Sequence, residues 1–108
     1  LLPEDIVYIE AFAHNTELYT KEKHYCVREG ISVWRERLPG EMFCSCHRSY
    51  LVNLSHVVRL EKEAVILYDG RQIPLSRRSY KEVNQAFIRF YSRMRKEEED
   101  SSEGRPDC

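Results

Sequence analysis

Three short polar clusters interrupt an otherwise apolar, strand-like sequence: His14, Asn15, Thr16 and Glu17; His47 with Arg48; and Arg77 with Arg78. Arginine and asparagine carry donors whose geometry suits phosphate oxygens and the edges of bases. Arg77 and Arg78 stand just before a predicted helix, whose outward amides and partial positive charge attract a phosphate before any side chain acts. Each arginine adds a bidentate fork. His47 and Arg48 belong, with Ser49, to a polar insert inside FCSCHRSYLVNL, residues 43–54, where Phe43, Tyr50, Leu51, Val52 and Leu54 are apolar. Burial alone would not ask for such an insert, so it is either exposed for use or internally paired.

Each cluster also has a purely structural explanation. His47, flanked by apolar strand residues, could hydrogen-bond a backbone carbonyl and orient its own loop. Arg48, Arg77 and Arg78 could be ordinary surface charges, and His14 to Glu17 plain turn chemistry. Asn53, between Val52 and Leu54, is expected to be a buried amide that satisfies turn backbone. Cys44, Cys46 and His47, with His24 and Cys26 elsewhere, supply soft ligand atoms for zinc. On a strand, however, Cys44 and Cys46 share a face from which His47 points away, and the usual two-residue spacer is missing. Cys46 is expected to fill an apolar core slot. No glycine-rich turn follows either cysteine to shape an oxyanion site, and no glycine loop cradles a phosphate. No catalytic residue, cofactor or metal site is predicted, and an enzyme is not expected.

A chain of 108 residues, 42% hydrophobic and 32% charged, has enough apolar residues for one core and fits a single folded domain. No apolar run approaches the roughly 20 residues of a membrane span, and no signal-peptide pattern opens the chain, which predicts a cytoplasmic protein without a membrane partner. Four cysteines without a secretion signal, two of them at Cys44 and Cys46, are expected as reduced thiols. The net charge of −1 hides an asymmetry: up to Lys96 there are 16 basic and 12 acidic residues, a net of +4, while six acidic residues crowd the stretch from Glu97 to Cys108 against Arg105 alone. The body is basic and the tail acidic, so the tail would compete with phosphates for the basic face.

The elements that must position the polar clusters follow from periodicity. Asp5 to Phe12 is apolar on both alternating faces and reads as a strand buried on both sides. Ala13 to Thr16 reads as a connection, Glu17 to Thr20 as a strand, residues 21–23 as a hairpin loop and His24 to Arg28 as its return. Ile31, Trp34 and Leu38 fall at helical spacing before Pro39-Gly40, predicting a short helix capped by Ser32 that plugs one end of the sheets with Trp34. Val57 to Leu60 and Ala64 to Tyr68 read as strands. Asp69-Gly70 predicts a tight two-residue hairpin with positive φ at both positions. Tyr68 would then face Arg71, and Ile66, Ile73 and Leu75 would share a surface. Pro74 marks an edge. Ser79 and Glu82 fit a capping box for a helix from about Tyr80 to Arg95, with Val83, Phe87, Phe90, Tyr91 and Met94 as its apolar stripe. The sum is a mainly β sandwich of short antiparallel sheets with one short helix and one C-terminal helix. Residues 96–108 have no apolar face and are expected to be a disordered acidic tail.

The combination of HRSYLVN, the Asp69-Gly70 turn and IPLSRRSY before a helix resembles the LytTR family of bacterial DNA-binding output domains, over roughly Pro3 to Tyr91. The resemblance implies the same β sandwich and a sequence-specific DNA-binding output domain of a bacterial transcriptional regulator of the two-component, response-regulator type. It implies contacts from connecting segments and not from a recognition helix. Carried over by position, these are His14, Asn15, Thr16 and Glu17 in the first loop, Arg48 after the motif histidine, and Arg78 in the second slot after Ser76; His47 and Arg77 adjoin them. The family domain usually begins with a strand upstream of Leu1 and follows a receiver domain. A domain at residues 1–95 lacking both is therefore expected, with a pairing edge exposed. Family members commonly act as dimers on repeated half-sites, so the implied partners are double-stranded DNA, a second copy and an N-terminal receiver domain. The rival function is a protein-interaction module that docks a partner on a sheet edge or on the C-terminal helix at Val83, Phe87 and Phe90.

Overall fold

A computed structural model of the chain describes residues 2–103, with side chains described as far as Met94. Two antiparallel sheets carry the fold. In chain order the elements are β1 (Ile6–Phe12), β2 (Asn15–Thr20), β3 (His24–Val27), α1 (Ile31–Arg37), β4 (Phe43–His47), β5 (Tyr50–Asn53), β6 (Val57–Glu61), β7 (Ala64–Leu67), β8 (Gln72–Pro74) and α2 (Arg77–Glu103). Single 3-10 turns at Pro3–Asp5 and Leu54–His56 lead into β1 and β6. The larger sheet has the order β3-β2-β1-β5-β4, the smaller β6-β7-β8.

β1 is central because it is apolar on both faces. Ile6, Val7, Tyr8 and Ile9 are all buried: Ile6 and Ile9 serve one side, and a register irregularity between Ile6 and Tyr8 in the pairing with β2 lets the neighbours Val7 and Tyr8 both serve the other. One core joins Tyr8, Val52 and Cys46 of the large sheet to Val65, Leu67, Ile73 and Leu75 of the small sheet and its edge, with Val83 of α2. On the opposite side Ile6, Ile9, Leu18, Phe43 and Leu51 meet Leu38, with Ile31 and Trp34 of α1 packed against them. Burying an aliphatic side chain is worth about 1.5–3 kcal/mol, so these two layers hold the large sheet from both faces. Asn53 is buried as expected: its Nδ2 donates to the Ile6 carbonyl at 2.8 Å, and its Oδ1 accepts from the Ser55 amide at 2.9 Å and hydroxyl at 2.7 Å. This amide fastens β1 to the exit of β5.

Several local expectations change. Gly30, with no side-chain cap, occupies the N-cap of α1 in place of Ser32, and α1 lies against β1 and β5, so Trp34 covers a sheet face and does not plug an end. The β7–β8 connection is a three-residue turn. Leu67 accepts from Gly70 and donates to Arg71, and only Gly70 has positive φ, at 87°. The extra residue shifts the register by one, so Val65 faces Ile73 and Ile66 faces Gln72. Val65 and Leu67, not Ile66, therefore join Ile73 and Leu75 in the core between the sheets. Pro74 does lie on an edge strand.

α2 begins at Arg77, three residues before the expected start, because Ser76 caps it: the Ser76 Oγ accepts from the Ser79 amide at 3.2 Å. Its helical backbone continues to Glu103, past the expected end near Arg95. Glu and Lys are strong helix formers that need no apolar face. The remainder of the expected acidic tail, residues 104–108, lies outside the described residues.

Candidate nucleic-acid interface

Two backbone hydrogen bonds bring the three polar clusters to one end of the large sheet. The β1–β2 turn is only Ala13-His14, and the β4–β5 turn only Arg48-Ser49. Next to them the Ala11 amide donates to the Ser49 carbonyl at 2.8 Å, tying the first turn to the second. The Ser76 amide donates to the Cys46 carbonyl at 2.9 Å, tying the start of α2 to the end of β4. Arg48 is two residues from Cys46 and Arg78 two residues from Ser76. Chain geometry then limits their Cα separation to about 20 Å. That is well inside one ~34 Å turn of duplex DNA.

His14 and Asn15 are exposed, His14 in the turn and Asn15 as the first residue of β2, paired with Phe12. Phe12 itself is 63% exposed, an aromatic left uncovered beside this turn. Ala13 adopts φ 56°, a conformation unusual for a residue with a Cβ. Thr16 corrects the sequence expectation: it is fully buried in β2, and its hydroxyl donates to the Glu29 carbonyl at 2.6 Å. The loop is two residues shorter than expected, and strand alternation turns Thr16 inward. Glu17 is also a strand residue, and its carboxylate accepts from the Tyr19 hydroxyl at 2.6 Å. That bond, then burial, holds the Tyr19 hydroxyl far above its ordinary pKa, so it stays a donor to Glu17. Glu10, directly opposite Glu17, likewise accepts from the Tyr50 hydroxyl at 3.1 Å. A carboxylate repels phosphate, and one engaged in this way is less free to accept a hydrogen bond from a base.

His47 is half-buried and paired through its ring. Its Nδ1 accepts from the Ser49 amide at 3.1 Å, which requires that nitrogen to be unprotonated, and the ring meets Tyr50 edge-on at 5.6 Å. It orients its turn as the structural explanation expected, through an amide and not a carbonyl. Arg48 projects from the turn and is exposed. Arg77 and Arg78 are exposed in the first turn of α2, inside the helix and not ahead of it. No acidic residue shares that turn, so both cations sit where the helix dipole is already positive, a local cost of about 0.3–1 kcal/mol each that a bound anion relieves.

Carboxylates occupy several of the other guanidinium groups. Arg37 pairs with Glu29 at 2.9 Å, Arg71 with Asp69 at 2.8 Å and Arg93 with Glu41 at 2.8 Å. Arg77 reaches Glu63 only at 3.6 Å and is 90% exposed, whereas Arg48 and Arg78 enter no ion pair among the described residues. One residue at this end went unnoticed in the sequence. Arg35 of α1 donates from Nε to the Ser45 Oγ at 2.7 Å and from Nη2 to the Arg48 carbonyl at 3.0 Å. No local pattern marks it, because its partners are contributed by a distant hairpin.

Cys44 and Cys46 are held as protonated thiols. Cys26, Cys44 and Cys46 are free thiols; burial pushes Cys44 up to about 11 and Cys46 up to about 12. Cys46 fills the core slot expected of it.

Residues 1–88 match the family model for the LytTr DNA-binding domain. Among curated proteins the chain is similar to the transcriptional regulatory protein YpdB of Escherichia coli, 33% identical over an alignment of 87 residues that covers 75% of this chain and 36% of that protein. It is also similar to the sensory transduction protein LytT of Bacillus cereus, 26% identical over an alignment of 85 residues that covers 74% of this chain and 35% of that one. The chain thus spans about a third of the length of these relatives. Among solved structures, a LytTr DNA-binding domain from Bacillus cereus superposes with a TM-score of 0.74 at 20% identity, over 80% of this chain and 84% of the other.

Proposed function

This chain belongs to the LytTr DNA-binding domain family, and from that premise we propose that it is the sequence-specific, double-stranded-DNA-binding output domain of a bacterial transcriptional regulator. The pair of backbone bonds Ala11 to Ser49 and Ser76 to Cys46 carries the proposal, because it gathers His14, Asn15, Arg48, Arg77 and Arg78 at one end of the large sheet. Arg77 and Arg78, with the first amides of α2, hold backbone phosphates and set the register. Arg48 reaches a base edge, where its fork suits guanine, while His14 and Asn15 read from the adjacent turn. Phe12 offers an apolar face of the kind that meets a thymine methyl. Glu17, His47 and Thr16 act inward, shaping these segments. The test is a binding selection from random duplexes followed by titration of the selected site over a range of salt. Recovery of a consensus with salt-sensitive affinity is expected; a chain that enriches no sequence would refute the proposal.

A docking function is favoured by one observation and is compatible with DNA binding. The expected stripe is corrected in part: Val83 is fully buried in the core and Phe87 packs half-buried against it. The apolar side chains that α2 leaves open are therefore Ile88, Tyr91 and Met94, 56%, 38% and 42% exposed, and a second copy bound there would serve repeated half-sites. Linking two modules raises apparent affinity without any new DNA contact. An N-terminal receiver domain in the full-length protein and a cytoplasmic site of action complete this proposal. Among the described residues no helix is long and apolar enough to cross a membrane.

A further inference from the structure

We propose that Arg35 is a positioning residue for Arg48: its guanidinium pins the backbone of the β4–β5 turn and fixes the point from which Arg48 reaches DNA. The inference rests on the DNA-binding function proposed above and adds a residue from α1, on a different element from any of the contact segments.

The β4–β5 ladder loses its regular register between Ser45 and His47, just before the two-residue turn Arg48-Ser49. An irregularity of this kind leaves a backbone group unpaired and aims the following residues in a new direction. Arg35 spans the break. Its Nε bond to the Ser45 Oγ lies before the irregular step, and its Nη2 bond to the Arg48 carbonyl lies after it. Because the guanidinium is planar, two bonds from one fork fix direction as well as distance; a lysine ammonium cannot do this. From within the turn, the His47 ring accepts from the Ser49 amide, and from the neighbouring strand the Ala11 amide reaches the Ser49 carbonyl. The backbone at residues 48 and 49 is therefore held from three sides, while the Arg48 side chain itself stays exposed. A contact launched from a fixed backbone needs less ordering on binding, so the benefit of Arg35 appears as affinity gained through Arg48.

The experiment is a double-mutant cycle on the full chain, with wild type, Arg35→Ala, Arg35→Lys, Arg48→Ala and Arg35→Ala/Arg48→Ala titrated on the selected duplex and on a random duplex over a range of salt. Arg35→Ala is expected to weaken binding to the selected duplex by about fivefold, the factor that one net intramolecular hydrogen bond is worth, with the salt dependence and random-duplex affinity unchanged. Arg35→Lys should lose as much as Arg35→Ala, and the loss should vanish once Arg48 is alanine. Full additivity with Arg48→Ala, rescue by lysine, or a shallower salt dependence in Arg35→Ala would overturn positioning and make Arg35 a phosphate contact. Amide exchange at Ser49 and Tyr50 reads the pinning without DNA: Arg35→Ala should speed it and Ser45→Ala should do so partly. Unchanged exchange in both overturns the inference even if no duplex binds, whereas a wild-type chain that binds no duplex overturns the DNA-binding proposal alone.

Discussion

Replacing Arg78 by alanine separates binding from stability, because the structure gives this side chain nothing to do in the free protein. It is exposed in the first turn of α2 and enters no ion pair among the described residues. Its charge adds to the positive end of the helix dipole, so Arg78→Ala should leave the melting temperature unchanged or raise stability by about 0.3–1 kcal/mol. On DNA the sign reverses. A hydrogen bond to a charged group is worth about 1.5–3 kcal/mol, which corresponds to roughly a 10- to 150-fold loss of affinity. Each neutralised phosphate contributes about 0.9 to the slope of log affinity against log salt. With Arg77 and Arg78 on phosphates, a fourfold rise in salt weakens the wild type by about 12-fold and Arg78→Ala by about 3.5-fold. Fluorescence anisotropy on a labelled duplex at several salt concentrations reads affinity and slope together, and thermal melting supplies the stability. An affinity within twofold of wild type and an unchanged slope would remove Arg78 from the interface; a lowered melting temperature would show that its role in the fold had been misjudged.

The other expectations test the scaffold. Asn53→Ala deletes one buried and two part-buried hydrogen bonds and strands the Ile6 carbonyl, so urea unfolding should show a loss of about 2–4 kcal/mol; a loss below 1 kcal/mol would mean the site repacks. Asp69 is held below the ordinary carboxylate range first by the Arg71 amide on its Oδ1 at 3.0 Å and also by the Arg71 guanidinium, with burial opposing. A lowered folded pKa stabilises above the unfolded value and is lost as pH falls through the folded one, so Asp69→Asn should cost up to about 1 kcal/mol near neutrality and nothing at about pH 2. Melting curves of both proteins across that range decide it, and a difference that survives at the acid end would refute the assignment. At pH 8 a thiol reagent should label exposed Cys26 quickly, but Cys44 and Cys46, pushed up to about 11 and 12, only as fast as the domain opens. Prompt labelling of Cys46 in native protein would contradict its place in the core.

What was legible in the sequence was whatever depends on short-range pattern. Alternation located the strands, helical spacing found Ile31, Trp34 and Leu38, and the amide chemistry of Asn53 between two apolar neighbours gave its burial. Three of the misreadings share one physical cause: an error of one to three residues at a turn. Reading the β7–β8 connection as two residues and not three moved the inward face from Val65 to Ile66. Reading the first connection as ending at Thr16 placed a core hydroxyl among the contact candidates. Taking Ser79 and not Ser76 as the cap put Arg77 and Arg78 outside α2, where the helix dipole acts on them differently. Arg35 was illegible for another reason. Its acceptors, Ser45 and the Arg48 carbonyl, lie 10 and 13 residues away, and nothing local specifies them.

The same sensitivity to register governs how the proposed interface is assembled. Its candidate contacts come from two two-residue turns and one helix start. Each is fixed by a backbone bond to a neighbouring element: Ala11 to Ser49, and Ser76 to Cys46. Strand pairing determines which residues those bonds join, and pairing register is in turn set by which residues are buried: Tyr8 opposite Val52, Ile9 opposite Leu51 and Cys44 opposite Val52. A slip of one residue would turn the buried set outward, an error the core does not tolerate. Core packing and the placement of the candidate contacts are therefore one constraint, since the burial of Ile9 and Val52 aligns the turns on which His14 and Arg48 stand. Exposed arginines can then tolerate the lack of a carboxylate partner, because the scaffold that holds them is stabilised elsewhere.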